Sequence, residues 1–171
     1  QDLKKDVDSM RLMVDSFLNY ARDSAADPVA DVDLVDLLTE LGLRLSPSVK
    51  PRVVGSPRLL ALRQVPIARA LENLLTNALR YADRVQILIR FESQGISIFV
   101  SDNGPGIPAD QRDLAIKPFV RLEAARGQSH GSGVGLGLAI AADVAKSHGG
   151  SLILNDCAEL GGLSVEVRLP L

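Results

Sequence analysis

This sequence is poor in the groups that staple, ligate or anchor a chain. Its single cysteine, Cys157, has no partner for an internal disulfide, and two histidines with one cysteine make no set at zinc spacing. A reducing, intracellular setting is the expectation that follows. No secretion signal and no spanning helix can be read: the longest run without a charged side chain, Gly127 to Ala142, is glycine-rich and too short to cross a bilayer. There is no excess charge of either sign. Nineteen Lys and Arg meet 21 Asp and Glu, a net charge of −2, which argues against a general nucleic-acid or polyanion binder. No fixed-period repeat is present. What remains is 171 residues, 46% apolar and 23% charged, enough for one domain with a real core, or one domain and a short appendage. An opening at Gln1 rather than Met is what a piece of a longer chain is expected to show.

The first 22 residues carry Leu3, Val7, Met10, Val14, Phe17 and Ala21 at alternating spacings of four and three, which predicts a helix with a heptad seam. A helix this short is marginal alone, so the seam must press on something. It either lies on its own domain or, as preferred, comes from a bundle whose partners are elsewhere. The expected organisation is 1–23 as that helix, 24–31 as linker and 32–171 as the main domain. Within the last, Val32 to Leu43 predicts an extended entry and a helix, with Asp33 as N-cap and Leu34, Leu37, Leu38 and Leu41 as its buried stripe. Arg52-Val53-Val54 is a brief β-like run. Ile67 to Ala82 predicts an amphipathic helix with Pro66 near its first turn. Val85 to Glu92 and Gly95 to Asp102 form a hairpin pattern, Leu136 to His148 a last helix stopped by Gly149-Gly150, and Ser151 to Asn155 and Leu163 to Leu169 two final strands. Cys157 is expected as a small apolar filler near a strand end, and His148 as a structural residue where a helix C-terminus favours a cation.

Three segments carry chemistry. On the central helix, Asn73 and Asn77 are four apart and share a face, with Arg80 three further along it. Two carboxamides and a guanidinium on one stripe suit a phosphate–metal group, or form a polar solvent face. Asp102-Asn103-Gly104-Pro105-Gly106-Ile107 follows a strand. Two glycines there let the backbone approach a flat ligand, and the carboxylate can accept a hydrogen bond from an exocyclic amine; an ordinary tight turn is the alternative. Gly131-Ser132-Gly133-Val134-Gly135-Leu136-Gly137-Leu138 opens a helix, so free N–H groups and the positive helix end converge on an anion, phosphate above all; a glycine hinge is the alternative. No Walker lysine follows, and no opening βαβ unit supports a dinucleotide fold.

In this order the three segments resemble the ATP-binding domain of bacterial sensor histidine kinases, nearest the osmosensor type, within the Bergerat-type ATPase and kinase superfamily. The asparagine helix resembles that family's N box, Asp102 to Gly106 its first glycine box, Gly133 to Leu138 its second, and Lys117-Pro118-Phe119-Val120-Arg121 its F box. The resemblance covers about residues 32–171, and the heptad segment resembles the second helix of the dimerisation and phosphotransfer hairpin. It implies an α+β, two-layer sandwich, with a mixed, mainly antiparallel sheet on three helices and ATP between the helix layer and a lid. Asp102 would bind the adenine amino group beside Gly104, Gly106 and Ile107. Asn77 would hold Mg²⁺, Asn73 would line the same site, Arg80 would stand near the phosphates and Tyr81 would flank the nucleotide. Arg121 would reach the γ-phosphate, and the backbone of Gly133, Val134, Gly135, Leu136, Gly137 and Leu138 would cradle the phosphates. Val134 departs from the family's usual Thr or Ser, so a hydroxyl contact is lost while backbone donors stay, and altered nucleotide affinity is expected.

The resemblance also implies a division of labour. Related ATPases hydrolyse ATP with a glutamate one turn before the metal-binding asparagine. Here Asn73 stands there, and Glu72 is rotated about 100° around the helix. Without a base the γ-phosphate is kept for another nucleophile. That nucleophile, a histidine on the first hairpin helix, is missing: His130 and His148 lack its context. The expected protein therefore binds ATP and Mg²⁺ and phosphorylates a histidine outside this chain, within a full-length homodimer that serves a response regulator and no nucleic acid. Its domain would be cytoplasmic and its parent in the inner membrane. A degenerate regulatory nucleotide module is disfavoured by the presence of Asn77, Asp102 and the glycine box. A protein-serine kinase or anti-sigma factor is disfavoured by the N-terminal helix. Ala109 to Gly133 is expected to be mobile without nucleotide and ordered with it.

Overall fold

Local chemistry sets most of the element boundaries. The computed structural model describes residues 27–122 and 135–171. The heptad segment, His130 and the Gly131–Val134 start of the glycine-rich run lie outside them, as does the 123–133 part of the Ala109–Gly133 span. Strand β1 (Val29–Val32) leads to helix α1 (Leu34–Leu45), strands β2 (Pro51–Val54) and β3 (Leu60–Arg63), and helix α2 (Gln64–Tyr81). Then come β4 (Val85–Glu92), β5 (Gly95–Asp102), a 3-10 turn (Ala109–Gln111), the one-turn helix α3 (Arg112–Ala115), helix α4 (Gly137–Ser147), β6 (Ser151–Asp156) and β7 (Leu163–Pro170).

Asp33 starts α1 as expected, accepting the N–H groups of Val35 and Asp36 at 2.8 and 3.1 Å. Leu34, Leu38 and Leu41 are buried below it, and Leu37 packs at the core's margin. On the strands the two-residue period shows directly. Ile87, Ile89 and Phe91 on β4, Ile96, Ile98 and Val100 on β5, and Leu163, Val165, Val167 and Leu169 on β7 turn to one core. From the helix layer, α2 meets them with Ile67, Leu71, Leu74 and Leu75, and α4 with Ile140, Ala141 and Val144. The sheet runs β2-β4-β5-β7-β6, parallel only between β2 and β4. It is the mixed, mainly antiparallel sheet on a helix layer that the sequence led us to expect.

Two readings need correction. Val29 to Asp31, taken as linker, belong to β1, which pairs antiparallel with β3, a strand not foreseen at all. Three of the four β1 residues are exposed, and β3 has four residues, so neither carries a readable period. His148 does cap α4, but not as a cation. Its Nδ1 bonds the Val144 carbonyl at 2.8 Å, and its Nε2 accepts the backbone N–H of Arg63 at 3.1 Å. An Nε2 that accepts carries no proton, so this network assigns a neutral ring with hydrogen on Nδ1. The ring thereby stitches the end of α4 to the end of β3. His148→Ala is expected to cost about 1–2 kcal/mol in urea unfolding, because it leaves the Arg63 N–H without that partner; an unchanged midpoint would refute the stitch. Cys157 is buried as expected, and its Sγ also accepts the Leu160 N–H at 3.3 Å in the turn between β6 and β7.

On the face of the sheet turned from the helices, Glu166 is buried beside Arg168, which donates to both its oxygens at 2.7 and 3.1 Å. That hydrogen bonding, with the carboxylate's charge, holds the Arg168 guanidinium above its ordinary range.

Candidate functional site

Helix α2 is the element on which the site is assembled. Its apolar face is buried through Leu71, Leu74, Leu75 and Ala78, which leaves Asn73, Asn77 and Arg80 half-buried on the neighbouring stripe. Asn73 turns its amide nitrogen inward. Its Nδ2 is buried and has no hydrogen-bond partner among the described residues. Beside it opens α4: a Cβ built on Gly137, the first residue of that helix, would lie 3.8 Å from the Cβ of Asn73. The residue before it, Leu136, supplies no side-chain acceptor, so the first N–H groups of α4 are uncapped by any side chain.

The other end of α2 meets the loop after β5. A Cβ on Gly104 would stand 2.8 Å from the Tyr81 carbonyl oxygen and 3.0 Å from Asp102 Oδ1, so only glycine lets the loop pass beneath the helix end. Asp102 itself is buried. Its Oδ1 accepts the N–H groups of Gly104 at 2.8 Å and Leu163 at 3.2 Å, while Oδ2 takes no bond among the described residues. An aimed carboxylate with one committed oxygen and one uncommitted oxygen is suited to a ligand that donates. Arg112, on α3, secures the loop's far side. Its Nε donates to the Ile107 carbonyl at 3.1 Å and its Nη2 to Asp156 Oδ1 at 2.5 Å.

The segment Lys117–Arg121 reaches the start of the glycine helix. Phe119 N–H donates to the Gly135 carbonyl at 3.0 Å, and a Cβ on Gly135, whose φ is 74°, would come within 2.6 Å of the Val120 carbonyl oxygen. Phe119 itself has φ 66°, the single positive value outside glycine among the described residues, so the backbone is strained where these segments touch. Arg121 is exposed two residues further on.

Thus α2 is in contact with the Asp102 loop at one end and with α4 nearer its middle, and Gly135 links the latter to Lys117–Arg121. Of the predicted site residues, Asn73, Asn77, Arg80, Tyr81, Asp102, Gly104, Gly106, Ile107, Arg121, Gly135, Leu136, Gly137 and Leu138 are described. Gly133 and Val134 lie outside the described residues. Glu72 faces elsewhere: its Oε1 takes the Arg44 Nη2 at 2.8 Å, across the groove between α1 and α2. Sequence reasoning missed Gly162. A Cβ there would lie 2.5 Å from Asp102 Oδ1 and 2.6 Å from the Gly104 nitrogen, and the Gly161-Gly162 pair ahead of a strand was the available signal.

Residues 63–171 match the family described as histidine kinase-, DNA gyrase B-, and HSP90-like ATPase. The sensor histidine kinase GtrS of Pseudomonas aeruginosa is 33% identical over 168 residues, which are 97% of this chain and 34% of that protein. The ATP binding domain of PrrB from Mycobacterium tuberculosis is similar with a TM-score of 0.65 at 29% identity, over 84% of this chain and 98% of the other. The histidine kinase domain of the Escherichia coli osmosensor EnvZ gives a TM-score of 0.63 at 32% identity, over 85% and 91%. The chain spans between about a third and two fifths of the length of the curated relatives first matched.

Proposed function

The chain belongs to the histidine kinase-, DNA gyrase B-, and HSP90-like ATPase family, and from that premise we propose that it holds Mg²⁺-ATP and donates the γ-phosphate to a histidine outside this chain. The observation that carries the reading is the position of α2, which meets the Asp102 loop at Tyr81 and the opening of α4 at Asn73. One helix thereby spans a base-binding end and a phosphate-binding end.

At the base end, Asp102 Oδ2 is the acceptor for the adenine amino group, with Gly104, Gly106 and Ile107 as the close wall and Tyr81 at its side. At the phosphate end, the Asn77 carboxamide oxygen would hold the divalent ion, and the orphaned Asn73 Nδ2, a donor, would suit a phosphate oxygen beside it. A bound divalent ion supplies charge neutralisation and alignment of the terminal phosphoryl group. The residues of this chain do the rest by position. The backbone N–H groups from Gly135 to Leu138 would face the phosphates, and Arg80 and Arg121 would bring countercharge, which is how phosphoryl transfer is chiefly accelerated.

One observation favours transfer over hydrolysis, and a second narrows the acceptor. Glu72, the nearest carboxylate to the expected base position, is engaged by Arg44 on the far side of α2. His148 spends both ring nitrogens on Val144 and Arg63, so it is not the acceptor. The acceptor we propose is the histidine hairpin of a longer homodimeric parent, anchored in the inner membrane with this domain on the cytoplasmic side, and a response regulator receives the phosphoryl group. No described helix is long and apolar enough to cross a membrane.

The test mixes this chain with labelled Mg²⁺-ATP and the parent's histidine hairpin. Acid-labile label on the hairpin is expected, with none retained when its histidine is replaced. Asn77→Ala is expected to remove about tenfold of the Mg²⁺-dependent gain in nucleotide affinity. Nucleotide binding without transfer to any histidine would overturn the kinase reading.

A further inference from the structure

We infer that Asn103 is a positioning residue that sets the spacing between the base end and the phosphate end of the nucleotide site; the inference rests on the reading proposed above. Asn103 follows Asp102 directly, yet its side chain serves neither the acceptor carboxylate nor the glycine turn. It reaches instead to the connection between α2 and β4. Its Oδ1 accepts the N–H of Asp83 at 3.1 Å and of Arg84 at 2.8 Å, and its own N–H donates to the Arg84 carbonyl at 3.1 Å.

These bonds hold a segment that little else holds. Only Ala82, Asp83 and Arg84 join α2 to β4, and Asp83 and Arg84 are exposed, so no apolar burial fixes the turn. The bonded residues follow Tyr81, the last residue of α2, and Arg80 and Asn77 lie within the turn or so before it. Whatever fixes Asp83 and Arg84 therefore fixes where the end of that helix stands relative to Asp102. Gly104 completes the arrangement by letting the same loop pass under the Tyr81 carbonyl. A nucleotide that must meet Asp102 with its base and Asn77 with its phosphates needs that distance preset, because misplacement of one end by a fraction of an ångström weakens both contacts at once.

The residue type follows from the task. A carboxamide oxygen on one methylene accepts two adjacent N–H groups here; an aspartate keeps that reach and both acceptor bonds, whereas alanine has no acceptor. The residue is thus expected to act through the helix end, and not on the base.

The experiment titrates the unsubstituted chain, Asn103→Ala and Asn103→Asp with Mg²⁺ and a non-hydrolysable ATP analogue, and separately with adenosine. Asn103→Ala is expected to bind the triphosphate at least about tenfold more weakly while adenosine stays within about twofold, and Asn103→Asp is expected to recover most of the loss. Equal loss for both ligands, no loss, or no recovery with aspartate would overturn the inference. Should Asn103→Ala not fold, Asn103→Ser against Asn103→Asp poses the same split. An unsubstituted chain that binds neither ligand overturns the nucleotide reading itself, a separate and recognisable failure.

Discussion

Asp102→Asn is expected to weaken binding of a non-hydrolysable ATP analogue by about 30-fold or more while the protein stays folded. The substitution keeps shape, and the amide oxygen can still accept the N–H groups of Gly104 and Leu163 that Oδ1 accepts now. The other position changes character. Oδ2, uncommitted among the described residues, becomes an NH₂ group facing the donor amine of the base, so an acceptor is exchanged for a donor. Loss of a hydrogen bond to a charged group costs about 1.5–3 kcal/mol, and a donor set against a donor stands at the upper end. Taking about 2–3 kcal/mol of that range, at about 1.4 kcal/mol per decade, this is a loss of about 30- to 140-fold. Calorimetric titration of both proteins, with a thermal melt of each, separates site from fold. An unchanged dissociation constant would remove Asp102 from the site. Failure of both proteins to bind would bring the regulatory-module alternative forward.

What could be read from the sequence, and what could not, divides by the range of the interaction. The hairpin β4–β5 falls on its expected residues because buried Ile87, Ile89 and Phe91 alternate with half-buried or exposed neighbours over eight residues. Asp33 could be placed because capping is decided within three residues. That Glu72 points away from the site was legible for the same reason: helical geometry alone rotates it from Asn73, and Arg44 merely takes up the side chain on that face. The N-box asparagines, Asp102 and the glycine helix were visible because each is a local pattern. Their assembly was not, since the contact of Gly137 with Asn73 spans 64 positions and follows from how α4 packs on α2. The pairing of β1 with β3, the Arg112–Asp156 bond and the His148–Arg63 stitch were hidden likewise. They join residues whose local sequences carry no period, and only the shared core brings them together.

Gly162 is the sharpest case of such a hidden contact, and it carries the other large prediction. A Cβ at this position would stand 2.4 Å from the Asp102 carbonyl oxygen, 2.5 Å from its Oδ1 and 2.6 Å from the Gly104 nitrogen. None of these atoms can swing aside. The carbonyl already accepts the Gly162 N–H at 3.1 Å, and Oδ1 is fixed by its own two bonds. Gly162→Ala must therefore part the end of β5 from the start of β7, and we expect it to cost about 3 kcal/mol of stability. The same displacement should also lower nucleotide affinity by more than about 100-fold, since it moves the base-binding carboxylate itself. Its neighbour supplies the control. A Cβ on Gly161 meets nothing within 4 Å, so Gly161→Ala bears only the strain of φ 86°. That strain is about 1–2 kcal/mol, and nucleotide affinity should be retained. Denaturant unfolding and calorimetry on the two variants decide the matter: if both lose binding equally, backbone strain in the turn is the cause, and if only Gly162→Ala does, the close approach to Asp102 is what this glycine exists to permit.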